Sequence, residues 1–205
     1  MKRCKICKER FTPTYSTLQA TCVSPKCVIE WSRVQQEKAW QKRKDKMKVE
    51  NMSSDKYRAD VIQPIINEIA RLIDYGQPCI ASGRYTGKMA GGHFVSIGSN
   101  RSCSLNLHNI HIQSFESNSF KSGDESKYRL GLIQTYGQSY FDFIDSLRHL
   151  KGIDIGKDKL IELKPLVSEI RNDLKRNPIK RTPSERIELR EDINIKIGIY
   201  DAIKI

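Results

Sequence analysis

The chain lacks the features that mark membrane and secreted proteins. In its 205 residues, no apolar run approaches the roughly 20 residues that a helix needs to cross a bilayer. Residues 1–5 are basic, but no apolar stretch follows them, so the sequence predicts no signal peptide and a reducing cytoplasmic location. In that compartment disulfides are not expected.

Acidic residues are also scarce relative to basic ones. The net charge is +12 and the isoelectric point is about 9.5. Residues 1–60 hold 15 Lys and Arg against 7 Asp and Glu, so +8 lies in the first third of the chain. This balance predicts a polyanionic partner. The basic stretch has no wide apolar face, which favours nucleic acid over an anionic membrane surface.

Cysteine is rare beyond residue 27. Four of the six cysteines lie before that point, as a C-x2-C pair and a C-x4-C pair separated by 14 residues. This is the spacing of a four-thiolate zinc site, and so short a segment could hardly fold without a metal. The sequence therefore predicts one structural zinc ion, bound by Cys4, Cys7, Cys22 and Cys27. Whether the surrounding lysines and arginines also contact DNA stays open.

A polar, helix-prone segment follows at residues 28–49 and has no clean apolar stripe. Its basic run predicts a helical arm that is both solvated and able to follow a phosphate backbone. The residues expected to contact DNA are Lys42, Arg43, Lys44 and Lys46.

Helical periodicity of apolar residues predicts three further elements. Residues 61–73 should form the first helix of the main core, and residues 140–150 and 158–175 should be packing helices. The last segment is ambiguous. Ser184 and Ile187 favour a helix, whereas the alternation of Ile193, Ile195, Ile197 and Ile199 favours a strand.

The central segment, residues 79–118, is rich in Gly, Ser and β-branched residues, as two short strands with loops would be. Helical character returns near Asn118. This is the layout of a two-strand, one-helix nuclease core, in which the first strand ends at a histidine that serves as general base and the helix brings a metal ligand. His93 occupies the position of that base.

Six short motifs in residues 76–133 carry a resemblance to a known family: Gly76-Gln77-Pro78-Cys79-Ile80, Gly92-His93-Phe94, Asn109-Ile110-His111-Ile112-Gln113, Ser117-Asn118, Ser122-Gly123 and Tyr128-Arg129-Leu130-Gly131-Leu132-Ile133. On these residues the chain resembles the phage NinG (Rap) recombination endonucleases, whose core is related to HNH and Holliday-junction resolving nucleases. The resemblance covers about two thirds of the chain, namely the cysteine pairs, the basic segment and residues 60–144.

The chain departs from the family pattern at two places. Where the family has C-I-S-C and Q-C-x-x-C-N, this chain has Cys79-Ile80-Ala81-Ser82 and Gln113-Ser114-Phe115-Glu116-Ser117-Asn118, so three of four thiolates are serines. Serine is a poor zinc ligand, so a second zinc is not expected, and packing with hydrogen bonds should hold these loops. The family's acidic residue shortly before the histidine is also missing, which should weaken binding of a divalent ion.

The resemblance implies a role for each site residue. His93 would deprotonate a water, and Mg²⁺ or Mn²⁺ bound near Asn118 would stabilise the leaving oxygen. Asn109 would orient the loop or the base, and His111 would be either a metal ligand or a phosphate contact. Asp124 is a replacement carboxylate for the same ion. Nearby cations expected to hold DNA are Arg84, Lys88, Arg101, Lys121 and Arg129, and His108 is expected to be exposed.

These observations predict an α+β protein in four parts. Residues 1–27 form a Cys4 zinc knuckle, residues 28–55 a basic helical arm, residues 56–150 an HNH-like ββα-metal core wrapped by helices, and residues 151–205 a helical extension. The expected function is structure-specific, metal-dependent cleavage of branched or single-stranded DNA in phage or prophage recombination, in the cytoplasm of a bacterial host.

Two other functions remain open at this stage. A DNA-binding accessory protein that keeps the fold but has lost catalysis would explain Ala90 and the three serines. An RNA-binding or scaffolding zinc protein would fit the charge but leave His93 and Asn118 unexplained. No membrane partner is expected, and the sequence leaves a homodimer open.

Overall fold

The computed structural model describes residues 1–119 and 125–200. Two compact units make up the chain, Met1–Met52 and Ser53–Ile205. The predicted residues Lys121 and Asp124 lie outside the described part, so the structure places neither of them.

The first unit combines a minimal sheet with a long helix. Strands β1 (Lys2–Arg3) and β2 (Arg10–Phe11) pair antiparallel, and helix α1 spans Pro25–Glu50. Pro25 lies in the first turn, where its missing N–H costs no hydrogen bond. Within α1 only Cys27 is buried, so the basic run of this helix is solvated as predicted.

A two-stranded antiparallel sheet lies at the centre of the second unit. Strand β3 (Met89–His93) pairs with β4 (Ile110–Ser114), with His93 opposite Ile110 and Met89 opposite Ser114. Helix α4 (Phe115–Ser119) follows β4 directly. The described chain therefore has the order strand, strand, short helix that the central sequence pattern predicted.

Helix α3 (Gln63–Ile73) packs against this sheet and continues from helix α2 (Ser54–Tyr57) through a π-helical turn at Arg58–Ile62. Its buried face carries Ile66, Ile69, Ala70 and Ile73, the spacing that identified it in the sequence. A Cβ atom at Gly91 would lie 2.5 Å from the backbone oxygen of Asn67. Only glycine therefore lets β3 approach α3 this closely.

Four more helices complete the described part of the second unit: α5 (Glu125–Tyr136), α6 (Gln138–Ser146), α7 (Lys157–Arg176) and α8 (Pro183–Ile197), with a 3₁₀ turn at Leu147–His149. The alternative of a terminal strand over the alternating isoleucines is wrong up to Ile197. Thr182 and Glu185 form a capping box that begins α8, and Gly198, at φ +66°, ends it.

Helix α8 brings two arginines into the core. Arg190 donates from Nη2 to Asp74 Oδ2 at 2.7 Å, and Arg186 donates from Nη1 to Asp74 Oδ1 at 3.3 Å. Asp74 also accepts the backbone N–H of Ile112 on β4. All three charged side chains are almost fully buried. This cluster joins α8, the end of α3 and β4.

Candidate metal centre and histidine cavity

The four N-terminal cysteines come together in the first unit. Their sulfur atoms all lie within 4.8 Å of one another, and the Sγ atoms of Cys7 and Cys22 are 3.9 Å apart. A tetrahedral zinc ion with bonds of about 2.3 Å requires a sulfur separation of about 3.8 Å. The cluster can therefore bind one metal ion such as zinc, as its spacing predicted.

The backbone around Cys4 favours its thiolate form. Burial raises the pKa of the Cys4 thiol, but hydrogen bonds from the backbone of Cys22, Cys7 and Ile6 outweigh it and lower the pKa to about 6. The thiolate is the form that binds metals. Burial and hydrogen bonds with the other cysteines raise the pKa of Cys27 to about 12, so the surroundings favour the thiolate at Cys4 and oppose it at Cys27.

His93 lies at the end of β3, half-buried, with one ring nitrogen engaged. Its Nε2 is 2.9 Å from the carbonyl oxygen of Ser104 and 3.2 Å from Nε2 of Gln63. The two N–H groups of that Gln63 amide already donate to Ser104 O and Asn67 Oδ1, both at 2.9 Å. Because a carbonyl oxygen only accepts, His93 Nε2 carries the hydrogen and Nδ1 keeps a lone pair.

Burial lowers the pKa of His93 below its usual 6.5, and the hydrogen bond to the Ser104 carbonyl opposes this only in part. The ring is therefore neutral at pH 7. A neutral imidazole with a free lone pair is the form of histidine that accepts a proton.

A cavity of about 330 Å³ lies beside His93. Asn118 of α4 lines the same cavity, and its Oδ1 is 3.0 Å from the position that a Cβ atom of Gly92 would occupy. The remaining lining residues are Phe94, Ser96, Ile97, Ser99, Glu125, Tyr128 and Arg148. The structure thus brings together two of the four predicted catalytic residues, His93 and Asn118.

Asn109 holds the loop that follows His93 rather than lining the cavity. Its side-chain oxygen accepts the N–H of Val95 at 2.8 Å, and its amide nitrogen donates to the Val95 carbonyl at 2.9 Å. Asn109 is fully buried. This placement agrees with the loop-orienting alternative among its expected roles.

His111 is a core side chain that does not line the cavity. It is fully buried among Tyr128, Tyr136 and Tyr140, and its Nδ1 is 3.1 Å from the Tyr128 hydroxyl, which itself donates to Gly92 O. Burial, together with the charges of Arg190 and Arg186, lowers the pKa of His111 well below its usual value. His111 is neutral, and because it is fully buried it does not reach the solvent-accessible space in which a phosphate would bind.

The expectation that His108 is exposed is wrong. Its ring is fully buried, with Nδ1 2.9 Å from the Tyr140 hydroxyl and Nε2 3.0 Å from Glu191 Oε2. Burial and the nearby Arg190 charge lower the pKa of His108 to about 3. Both ring nitrogens have hydrogen-bond partners, which explains why this histidine can lie in the core although the sequence suggested exposure.

The positions of the missing second zinc site also meet in space. Ser114 Oγ donates to Ser117 Oγ at 3.1 Å, and Cys79 Sγ lies 4.0 Å from that Ser117 oxygen. Ser82 contributes its backbone N–H to Cys79 Sγ at 3.4 Å. Hydrogen bonds thus join these two loops, in place of the thiolate cluster of the family pattern.

The predicted DNA contacts come from both units of the chain. Lys42, Arg43, Lys44 and Lys46 are exposed on α1. Arg84 and Lys88 line a depression of about 450 Å³ with Phe115, whose ring is 5.9 Å from Lys88 Nζ. Arg129 is exposed, with its guanidinium 4.9 Å from the Phe141 ring centre.

Two cavity residues were missed by sequence reasoning. Arg148 and Glu125 form an ion pair at the cavity although they are 23 residues apart, and no motif or periodicity in the sequence links them to His93. In the part of the chain that the structure describes, no helix is long and apolar enough to cross a membrane.

These features define a helix-rich α+β protein with a four-cysteine cluster that can bind a metal ion and a histidine cavity at a small antiparallel sheet. The chain belongs to the NinG family, because the family model described as "Bacteriophage Lambda NinG protein" matches residues 1–177. Helix α8 follows the matched region.

Curated relatives agree with this assignment. The protein ninG of Enterobacteria phage H19B is 33% identical over 163 residues, which cover 71% of this chain and 80% of the relative. The protein ninG of Escherichia phage lambda is 31% identical over 193 residues, covering 83% and 94%. That of Escherichia phage 933W is 30% identical over 161 residues, covering 71% and 80%. No solved structure matches the chain.

Proposed function

We propose that the protein is a metal-dependent endonuclease that cuts branched or single-stranded DNA during phage or prophage recombination. The observation that carries this proposal is that one cavity holds both His93, as a neutral base, and Asn118, as an amide oxygen donor. The order of β3, β4 and α4 supports an HNH-like core around them. The basic surface of α1 supports DNA as the partner.

His93 would act as the general base. Its Nε2–H is fixed by the Ser104 carbonyl, which leaves Nδ1 to take a proton from a water in the cavity as that water attacks phosphorus. Asn109 supports this arrangement indirectly by holding the chain at Val95, two residues after His93. The fixed ring orientation removes the need to reorganise the base during the reaction.

The oxygen donors of the cavity fit a weakly held divalent ion. Mg²⁺ keeps several waters and needs few protein oxygens when substrate phosphates complete its shell, and Asn118 supplies one such oxygen. Asp124 stays a predicted second ligand outside the described residues. An ion held here would supply Lewis-acid stabilisation of the leaving oxygen.

A second function has its own support. Ala90 stands before His93 where the family has an acidic residue, and Ser82, Ser114 and Ser117 replace thiolates. These losses favour a DNA-binding accessory protein that has kept the fold and lost catalysis. Metal-dependent nicking decides between the two functions.

The decisive experiment is a nicking assay on end-labelled junction and flap DNA with Mg²⁺, with Mn²⁺ and with no added divalent ion. Omission is a better reference than a chelator, which would also strip the cysteine cluster. We expect His93→Ala to lower the rate by roughly 10²-fold or more while DNA affinity stays within a few-fold, because a neutral base acts mainly in the transition state.

Two further variants sharpen the test. His149→Ala is the matched control, since His149 lies outside the cavity, and it should cut like the wild type. Asn118→Ala should cut slowly and recover in part at higher metal concentration, because the lesion lies in metal affinity. Binding without cutting under every divalent ion would establish the accessory function, and full-rate cutting by His93→Ala would move the active site elsewhere.

A further inference from the structure

Arg148 is held rigidly beside His93. Its Nε donates to Asp145 Oδ1 at 2.6 Å, and its Nη2 pairs with Glu125. The guanidinium carbon lies 4.9 Å from the centre of the Phe94 ring, and Phe94 is the residue directly after His93. Three separate contacts therefore fix this side chain at the cavity wall.

Those contacts use only some of the N–H donors of the Arg148 guanidinium. Nη1 of Arg148 donates no hydrogen bond to any described residue. Arg148 is also the only cation among the described residues that line the cavity. Burial lowers the pKa of Arg148, but the hydrogen bonds that it donates to Asp145 and Glu125 outweigh this effect and raise the pKa. The cavity thus holds one permanent positive charge with an unused donor.

Phosphodiester cleavage places new negative charge on the phosphate oxygens, and a planar guanidinium binds such oxygens through two parallel N–H groups. His93 is neutral, and the family's acidic metal ligand is absent from β3. Among the described residues of this cavity, the Arg148 guanidinium is therefore the group that can bind a phosphate by its positive charge.

We propose that Arg148 binds the scissile phosphate of the DNA and that Glu125 occupies the guanidinium until the DNA displaces it. This inference rests on the proposed endonuclease function. Exchange is inexpensive because Glu125 has 61% of its side chain exposed, and exposed ion pairs contribute little stability. Asp145 keeps its contact with Nε and preserves the orientation of the fork.

A purely structural role for Arg148 makes a different prediction. If the Arg148 side chain only packs the Leu147–His149 turn against Phe94, replacing Arg148 should change thermal stability and leave DNA affinity and turnover unchanged. If Arg148 binds phosphate, replacing it should also lower DNA affinity and turnover. The effect on affinity should then depend on whether Glu125 carries its negative charge.

The first test measures binding of branched DNA without divalent ion, over a range of salt concentrations. Arg148→Ala should weaken binding by about tenfold and reduce the slope of log affinity against log salt by about 1, since one phosphate contact is lost. Glu125→Gln should tighten binding several-fold by releasing the fork. In the double variant the effect of Glu125→Gln should vanish. Arg171→Ala, which removes the same charge from α7, is the control.

The second test measures cleavage. Arg148→Ala should lower kcat by about 10²-fold, and Arg148→Lys, which keeps the charge and loses the fork, by about tenfold, with smaller changes in KM. Thermal unfolding of each variant checks the fold. Should Arg148→Ala fail to fold, Arg148→Lys and Glu125→Gln still decide the matter.

Two results would overturn the inference: an Arg148→Ala protein that binds and cuts like Arg171→Ala, or a Glu125→Gln effect on binding that persists when Arg148 is absent. Weaker DNA binding by Glu125→Gln than by the wild type would be a third such result. A wild-type protein that never cuts would refute the endonuclease proposal alone, because the binding cycle between Arg148 and Glu125 would still show whether the guanidinium holds a phosphate.

Discussion

The Nε2 atom of His93 donates to the carbonyl oxygen of Ser104 at 2.9 Å, and this hydrogen bond determines which ring nitrogen can take part in chemistry. Ser104 lies in a loop between β3 and β4, while Gln63 of α3 donates to the same carbonyl. Two elements outside the sheet therefore orient the His93 ring. Such second contacts are what keep a general base in one tautomer.

The pH dependence of cleavage follows from the buried ring. Since burial lowers the pKa of His93, the base form should persist to below pH 6.5. We expect kcat/KM for nicking to be flat above about pH 6.5 and to fall as the pH drops through the lowered pKa, because protonation removes the base. A profile from pH 5 to 9 at fixed metal concentration measures this. A midpoint above pH 7 would contradict the assignment of His93.

Metal analysis tests the cysteine cluster. The purified protein should hold one zinc per chain, and Cys22→Ser should lose it together with the fold of the first unit, since thiolate binding and local folding are one equilibrium. Elemental analysis and far-ultraviolet circular dichroism report the two effects. Ser114→Ala is the control, because it leaves all four thiols in place. Two zincs per chain would refute the loss of the central site.

Salt dependence tests the basic surface of α1. Replacing Lys42, Arg43, Lys44 and Lys46 by Gln should flatten the slope of log affinity for DNA against log salt, since each phosphate contact releases counterions. A matched control replaces three lysines and one arginine on α7, namely Lys159, Lys164, Lys175 and Arg176. Equal slopes for the two variants would show only a general effect of net charge. Affinity that does not change between about 50 and 200 mM salt would exclude a polyanionic partner.

Stability of the second unit should depend on Asp74. Asp74→Asn leaves Arg186 and Arg190 buried without a counter-charge, which we expect to lower the free energy of unfolding by about 3–5 kcal/mol. Glu68→Gln is the control on the same helix region, because Glu68 pairs with Arg71, Arg171 and Lys175 nearer the surface and should cost about 1 kcal/mol or less. Urea unfolding followed by circular dichroism measures both. Equal losses in the two variants would mean that the buried Asp74 cluster contributes no more stability than the ion pairs of Glu68.

Local patterns in the sequence predicted the elements whose determinants are local. The cysteine spacing located the cysteine cluster, apolar periodicity located α3 and α7, and the glycines before His93 located the strand that ends at this histidine. These features depend on residues that are close together in the chain, so a single sequence contains them.

The remaining features depend on pairs that are distant in the chain. The sequence predicts an exposed His108, because its partners Tyr140 and Glu191 are distant in the chain. No sequence pattern likewise connects Arg148 with Glu125. In α8, the alternating isoleucines suggested a strand, whereas the capping box at Thr182 and the core contacts of Arg190 determine a helix. Polar residues whose partners come from other helices carry no apolar periodicity that would reveal their burial.

The contact between Asp74 and Arg190 also sets an order of events during synthesis. The two residues are 116 positions apart, and a ribosome adding about 5–20 residues per second needs about 6–23 s to reach Arg190 after Asp74. Until α8 has been made, Asp74 lacks both of the arginines that neutralise it in the folded protein. The nascent second unit carries Asp74 without its buried counter-charges during that interval, so the folding of this unit is completed only after α8 has been synthesised.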